Sequence, residues 1–130
     1  MSIEALQIIS DAMTALGLKY GFMEYKVASG EESPKMYFVG EYQEIEPMNE
    51  DGMQETTFLL TGFSRGTWLQ LEEAKQNILN YFSKVGGRTV VAESGSAVAV
   101  FYSNSLVIPT GDAELKKIQI NLIVKEWSVK

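Results

Sequence analysis

Apolar residues recur with helical spacing at two places in the chain. Near the N-terminus they lie three or four residues apart, on one face of a predicted helix: Leu6, Ile9, Met13 and Leu16. Ser2 can cap the start of this helix, and Gly17 can take the left-handed conformation that ends it. A second helix is predicted after Thr67, which stands in capping-box spacing to Gln70. Its apolar stripe precedes a predicted end at Gly86-Gly87 and comprises Leu71, Ala74, Ile78, Phe82 and Val85.

Strand patterns fill the rest of the chain. Residues 20–27 predict a short strand, although Gly21 interrupts it. The apolar run 36–39 and the run that starts at Met53 flank the turn-rich residues 47–52, which is typical of a long β-hairpin. Residues 89–91 and 97–102 predict a second hairpin, and residues 103–113 a loop. The last strand alternates strictly, with Ile118, Ile120, Leu122 and Val124 on one face.

The predicted order is α-β-β-β-α-β-β-β within one domain, residues 1–130. A mostly antiparallel sheet can bury one face under two helices, so we expect an α+β fold with both helices on the same face. Its long hairpin would project beyond the body. A hydrophobic content of 45% over 130 residues is ample for a single core.

Charge changes the range of functions that this fold could serve. The formal net charge is −6, and the first 66 residues carry nearly all of the excess, with 11 acidic and 4 basic side chains. A chain of this balance lacks the basic face that nucleic-acid phosphates or an anionic membrane require. No apolar run approaches the roughly 18 residues of a membrane span. We therefore expect neither sequence-specific nucleic acid nor a membrane as a partner.

Catalytic chemistry finds little support in the sequence. The chain has no cysteine and no histidine, which excludes thiol nucleophiles, thiolate metal sites and the usual general base near neutral pH. Ser83 and Lys84 are adjacent and lie on different faces of a helix. The glycine turn 62–66 lacks the GxxxxGK[ST] sequence of a phosphate-binding loop and suits an ordinary strand-to-helix turn. We expect a protein that is not an enzyme and that needs no cofactor.

One acidic cluster stands out between residues 41 and 55, which contain no Lys or Arg. It comprises Glu41, Glu44, Glu46, Glu50, Asp51 and Glu55. A divalent-cation site and a carboxylate pair for glycoside hydrolysis are both formally available. The turn does not follow the D-x-[DN]-x-[DN]-G pattern, and solvated carboxylates make poor general acids. A water-exposed, electrostatically repulsive hairpin is the favoured interpretation.

Two further groups are candidates for contact with a partner. The apolar residues Leu106 and Ile108 fall in the predicted loop, where they form either a contact element or a loop folded back on the core. Lysines lie on or beside the last strand, and they are Lys116, Lys117, Lys125 and Lys130. An acidic and a basic surface on one subunit suit a heterologous contact between copies.

The segment Pro34–Glu41 resembles the proline-led strand ending in Gly-Glu of tail-terminator, or tail-completion, proteins of long-tailed bacteriophages. The likeness continues through residues 55–63, the turn 64–66, the helix that begins Leu71-Glu72-Glu73 and the closing strand 118–124. It is a pattern of elements over most of the chain. Residues 47–52 and 103–113 carry no signature of that family.

The resemblance implies a structural role without catalytic residues. Such proteins form a ring, usually six-fold, that caps the tail tube and meets the head. It implies the tail-tube protein and a head-completion protein as partners, and the virion tail as the location, after assembly in the host cytoplasm. The acidic hairpin would then repel DNA from a bore. Another ring-forming neck or tail-tube component, and a regulatory module that binds a small molecule or a divalent metal, stay open as alternatives.

Overall fold

Two helices lie against one face of a curled, six-stranded sheet, a half-barrel, in the computed structural model. The structure describes residues 1–44, 52–83, 88–91 and 95–127. The elements, in chain order, are α1 (Ile3–Ala15), β1 (Tyr20–Phe22), β2 (Met36–Glu44), β3 (Met53–Ser64), α2 (Trp68–Tyr81), β4 (Arg88–Val91), β5 (Ala97–Val107) and β6 (Lys116–Trp127). The α+β class and the predicted order of elements are confirmed.

The strands lie in the spatial order β1-β2-β3-β6-β5-β4. Only β1 pairs in parallel, with β2, and the other described neighbours are antiparallel. The last strand in sequence, β6, is central, and β3 pairs with it along all of its 12 residues. Short β1 and β4 therefore form the two edges of the sheet.

The core lies between the helices and the inner face of the sheet. Alternate residues of β3 and β6 point inward and are buried, as the period of two in a strand requires. The largest fully buried side chains include Ile9 and Met13 of α1, Leu71 and Ile78 of α2, and Phe38, Phe58, Leu60, Ile118, Ile120 and Leu122 of the sheet. Both helices and the central strands share this one cluster, which confirms the predicted apolar stripes apart from Val85, which lies outside the described residues.

Both predicted helix starts are confirmed. The backbone N–H of Ala5 donates to Ser2 Oγ at 3.1 Å, and the side chains of Thr67 and Gln70 form a reciprocal capping box. The predicted end of α2 at Gly86-Gly87 is wrong, because the helix ends at Tyr81. The Phe82 carbonyl accepts a hydrogen bond from the Tyr102 N–H of β5 at 2.9 Å. A further turn of α2 would need this same carbonyl as its acceptor.

The first strand is shorter than predicted, ending at Phe22 rather than at residue 27. Met23 has a φ of 68° and its N–H donates to the Gly40 carbonyl at 2.7 Å, so the chain turns sharply after the strand. A Cβ at Gly21 would meet the Glu24 carbonyl oxygen at 2.0 Å, and glycine is therefore needed for this close return.

The predicted loop 103–113 is wrong over its first part, since β5 continues to Val107. The register between β5 and β6 shifts between Tyr102 and Asn104, which is the mark of a β-bulge at Ser103. Beyond the bulge, Asn121 Nδ2 donates to Asn104 Oδ1 at 2.6 Å. The sequence does not predict this part of the strand, because the run Ser-Asn-Ser is polar. Where amide side chains pair across two strands, apolar and polar residues do not alternate in the sequence.

The β2–β3 hairpin pairs from Met36–Ser64 up to Glu44–Thr56. Residues 47–51 of its predicted turn, the glycine pair 86–87 and residues 93–94 of the turn 93–96 lie outside the described residues. Within the described ranges, neither helix has the length and apolar content that crossing a membrane requires.

Candidate interaction surfaces

The strand register separates the predicted contact residues along the length of the sheet. Glu44 and Trp127 lie at one end, called here the hairpin end, whereas Met36 and Lys116 lie at the other, the lysine end. Eight residue steps of β2 separate the two ends, which corresponds to ~26 Å at the usual rise of a strand. The predicted lysines are therefore divided: Lys116 and Lys117 lie at the lysine end, Lys125 lies near the hairpin end opposite Glu55, and Lys130 lies outside the described residues.

The acids of the predicted cluster 41–55 that the structure describes do not come together at one site. Glu41 is exposed on the outer face of the sheet, and Glu44 lies on the helix side, where it pairs with the amino group of Met1. Glu55 Oε1 stands 3.9 Å from Lys125 Nζ on the outer face, an exposed pair of the kind that contributes little to stability. Glu46, Glu50 and Asp51 lie outside the described residues. Whether the hairpin faces a bore or holds a cation stays a prediction.

At the lysine end, the apolar candidates belong to ordered backbone. Leu106 lies opposite Gln119 in the sheet with 49% of its surface exposed. The Ile108 N–H donates to the Lys117 carbonyl at 2.9 Å, which extends the attachment to β6 by one residue. Lys117 Nζ lies 5.4 Å from the centre of the Phe63 ring, on the outer face. Leu106 thus projects from a fixed strand and not from a free loop.

A shallow cavity of about 440 Å³ adjoins these residues between the start of α2 and the loop 108–115. Trp68, Val107 and Lys116 line it, and Arg65 Nη1 lies 3.7 Å from Asp112 Oδ2 at its rim. The loop is held internally, because Thr110 Oγ1 lies within hydrogen-bonding distance of the carbonyls of Asp112 and Leu115. The cavity is thus a shallow, partly apolar depression on the helix side of this end, whereas Leu106 and Lys117 lie on the outer face of the sheet.

Sequence reasoning missed a groove at the hairpin end. It measures about 580 Å³ and runs between α1 and the β4–β5 side of the sheet, with Ile3, Ile8, Val90 and Trp127 among its apolar lining. Ile3 is 82% exposed, although it belongs to the first turn of a helix. Two features of the sequence could have indicated the groove: Ile3 lies outside the apolar stripe of α1, and two valines are adjacent in β4.

The rim of the groove is acidic. Glu4 and Asp11 line it from α1, and Glu126 lies buried in its wall, where it accepts a hydrogen bond from the Ser2 N–H at 3.0 Å. The described residues that line the groove include no lysine or arginine. The groove is thus an apolar channel with a negative border.

Three aromatic rings form a row across the outer face of the sheet. The ring centres of Tyr25 and Tyr37 lie 5.2 Å apart, those of Tyr37 and Phe63 lie 5.1 Å apart, and Lys117 continues the row. Tyr37 stacks on both of the other rings. Tyr37, Phe38 and Phe58 belong to strands of the sheet, and the row attaches the loop 23–35 to it.

The turn between β3 and α2 is occupied by its own side chains. The Gly66 N–H donates to Ser64 Oγ at 3.0 Å, and the Thr67 N–H donates to Gln70 Oε1 at 3.2 Å. The backbone N–H groups of Gly66 and Thr67 therefore already have partners, which agrees with the interpretation of this segment as a strand-to-helix turn. Among the described acids, no group of three has the arrangement of a metal site.

In comparisons with known proteins, no family model and no curated protein matches the chain. Any function assigned to it therefore depends on the surfaces described above and on the resemblance seen in the sequence.

Proposed function

We propose that this protein is a ring-forming structural component of a phage or prophage tail, of the tail-terminator type, which caps the tail tube and joins it to the head. In this role it has no catalytic activity and acts in the virion tail after assembly in the host cytoplasm. Its partners would be further copies of itself, the tail-tube protein and a head-completion protein.

One observation carries the proposal: the chain presents two unlike apolar surfaces at opposite ends of one sheet. The groove at the hairpin end has an acidic rim, whereas the cavity at the lysine end is lined by one acid and one base, Asp112 and Lys116. Identical subunits joined through two different surfaces form a heterologous contact, which generates a ring if the rotation closes. Covering exposed apolar side chains at the groove, such as Ile3, would be favourable on association.

The outer face of the sheet supports the same role. No described helix covers it, and its central part mixes polar, uncharged side chains such as Thr61, Gln119 and Asn121 with apolar ones such as Leu59 and Ile123. A face without a covering helix is open to solvent or to a neighbouring copy. The order of elements also agrees with the resemblance, in which a leading helix, a hairpin, a second helix and a closing strand follow one another.

Light scattering coupled to size-exclusion chromatography, from about 1 to 500 μM protein at low and high salt, tests the proposal. We expect concentration-dependent association into one defined oligomer, seen by negative-stain microscopy as a ring with a central opening. A strictly monomeric protein under every condition, which also fails to bind purified tail tubes lacking their terminator, would contradict the proposal.

The same micrographs distinguish a terminator from a tail-tube subunit. A terminator stops at a closed ring, because its two axial faces meet different partners. A tube subunit stacks ring upon ring, so long tubes of purified protein would favour the alternative of a tail-tube component.

A further inference from the structure

We propose that the groove at the hairpin end is a docking site for a short segment of a partner protein that carries apolar residues together with lysine or arginine. The groove is the channel lined by Ile3, Ile8, Val90 and Trp127, which belong to α1, β4 and β6. The inference goes beyond the proposed function, because it states the chemistry of one partner and holds whether or not copies of the chain form a ring.

Exposed apolar side chains supply the attraction at the groove. Ile3 is 82% exposed, Val90 49% and Trp127 36%, so the apolar surface continues from the cavity onto its borders. Hydrophobic stabilisation grows with the area removed from water, and an occupant that lies along the channel covers these side chains together. The volume of about 580 Å³ accommodates several side chains of such a segment.

The charges of the groove specify a cationic occupant. Glu4, Asp11 and Glu126 line it, and none of its described lining residues is basic. No ion pair among the described residues involves any of these three carboxylates. The Gln7 amide, which donates to Asp11 at 2.7 Å, is neutral and leaves the negative charge in place. Lysine or arginine on the occupant complements this border, whereas an acidic segment is repelled.

Glu126 strengthens this preference because it is buried. Its side chain belongs to a residue that is only 8% exposed, and charged residues are rarely buried unless they are paired. Ser2 donates to Glu126 Oε1 through its N–H at 3.0 Å and through its hydroxyl, so the carboxylate is hydrogen-bonded while its charge is not cancelled. Salt screens a buried charge much less than an exposed one, so Glu126 adds to the attraction for a cation in the groove.

The spacing of the acids indicates a segment of chain and not a single ion. Glu4 and Asp11 are seven positions apart in α1, which places them on the same face and ~10 Å apart along the helix axis. Among the described residues, no three acids have the arrangement of a metal site. On one side of an extended chain, residues at i, i+2 lie ~7 Å apart and those at i, i+4 lie ~13 Å apart. Long lysine or arginine side chains at either spacing can therefore reach both acids.

Trp127 provides a direct readout of the groove. The chain has two tryptophans, so Trp68→Phe leaves Trp127 as the only one. Its emission is followed at low salt while blocked peptides are added up to about 1 mM. The probes are Gly-Lys-Leu-Lys-Leu-Gly and Gly-Lys-Leu-Val-Leu-Lys-Gly, whose lysines stand at i, i+2 and i, i+4. We expect at least one of them to give a saturable shift to shorter wavelength, because an apolar segment removes the indole from water.

Control peptides separate the two parts of the recognition. One set replaces each lysine by glutamate, and the other replaces each leucine and valine by serine. Both sets should bind Trp68→Phe at least about tenfold more weakly than the lysine peptide, because one lacks the charge and the other the apolar area.

A charge variant tests the role of the acidic rim. In the Trp68→Phe protein, Glu4→Gln/Asp11→Asn should weaken binding of the lysine peptide at least about threefold at low salt and by less at high salt, because exposed charges are screened. Glu31→Gln/Glu32→Gln removes the same charge from an exposed loop outside the groove lining and should bind the peptide as Trp68→Phe does.

Two adjacent valines give a matched test of the apolar lining. Val90→Ser should weaken binding of the lysine peptide at least about threefold, since Val90 lines the groove. Val91, which is 67% exposed, is not among the lining residues, and Val91→Ser should leave binding unchanged. Circular dichroism and thermal unfolding should show that both variants remain folded, because these are surface substitutions.

Each outcome decides for or against the docking site. No saturable change in Trp127 emission with either lysine peptide would overturn it, as would equal binding of the lysine and glutamate peptides. Equal binding by Val90→Ser and Val91→Ser would place the peptide outside the groove and overturn it as well.

Light scattering of the unmodified chain with saturating lysine peptide identifies the occupant. Self-association that the peptide abolishes, and that Val90→Ser also abolishes, would assign the groove to a second copy and overturn the assignment to a different protein. Rings that persist with the peptide bound would support both proposals. A chain that binds the peptide in the groove but never associates, alone or on tail tubes, would contradict the proposed ring and support the docking site.

Discussion

Ser2 and Glu126 lie 124 positions apart in sequence and are hydrogen-bonded to each other. The contact lies where the start of α1 meets the C-terminal end of β6. The Ser2 N–H donates to Glu126 Oε1 at 3.0 Å, and the Ser2 hydroxyl donates to the same oxygen. The carboxylate is only 8% exposed, and it lies at the positive end of the α1 dipole, which favours a negative charge. This contact holds the first turn of α1, and with it one wall of the groove, against the sheet.

We predict that Ser2→Ala lowers the free energy of unfolding by about 1–2 kcal/mol, because the substitution removes both the N-cap and one donor to a buried carboxylate. Glu126→Ala should also destabilise the protein, since the Ser2 N–H then loses its partner. Urea denaturation measures both effects. Glu4→Gln, on an exposed side chain of the same turn, is the matched control and should change stability by less than about 0.5 kcal/mol. Equal losses in all three variants would contradict this account.

A second prediction concerns Gly62, which lies opposite Phe38 on the inner face of the sheet. A Cβ at this position would meet Phe38 Cε1 at 2.5 Å, and Phe38 is fully buried. Gly62→Ala should therefore destabilise the protein by about 1–3 kcal/mol through overpacking, as measured by denaturant unfolding.

The double variant Gly62→Ala/Phe38→Leu identifies the cause of that loss. Its destabilisation should be smaller than the sum of the two single effects, because leucine removes the ring atoms that the new methyl group meets. Thr61→Ala, on the outer face of the same strand, is the control and should cost less than about 1 kcal/mol. Strict additivity in the double variant would show that the ring contact is not responsible.

The elements that could be predicted from sequence are those whose signal is local. The cap at Thr67, the stripe of α2 and the alternation of β6 each lie within a dozen residues, and each is confirmed. The end of α2 could not be predicted, because it depends on a hydrogen bond from Tyr102, twenty residues away. The second half of β5 was missed because its polar residues pair with those of β6 across a bulge.

The same distinction applies to the candidate surfaces. Lys116, Lys117 and Leu106 were found because they stand in short sequence clusters, and the sheet places them at one end, whereas Lys125 lies near the other end. The groove was not found, because its lining comes from α1, β4, β5 and β6, and only the fold brings Ile3 and Trp127 together. A surface assembled from distant segments leaves no continuous pattern in the chain.

A third prediction concerns the hydroxyl of Tyr20, which is buried and has no hydrogen-bond partner among the described residues. Burial raises the pKa of Tyr20 from 10.0 to about 12, since the phenolate would lose its hydration. The folded state therefore holds the proton more tightly than the unfolded state. The resulting stability is fully present below pH 10 and is lost as the pH rises towards 12.

Tyr20→Phe should be as stable as the unmodified protein near pH 7, or more stable by about 1 kcal/mol, because it removes an unpaired buried hydroxyl. Between pH 10 and 12 the unmodified protein should lose stability faster than Tyr20→Phe. Urea titrations at intervals across this range measure the difference between the two proteins, so that the other tyrosines and lysines cancel. Parallel curves would mean that Tyr20 ionises freely in the folded state.

The last prediction concerns the aromatic row on the outer face, which attaches the loop 23–35 to the sheet through Tyr25. Stacked aromatic pairs contribute about 0.5–1.5 kcal/mol beyond their buried area, and Tyr25→Ala removes the outermost ring of the row. We expect trypsin to cleave this variant after Lys26 several-fold faster than the unmodified protein, because cleavage of a locally opened segment follows the population of the open form. Cleavage after Lys19, next to β1, is an internal control and should keep its rate. Faster cleavage at both sites would indicate general destabilisation, and unchanged cleavage after Lys26 would show that contacts other than the row hold the loop.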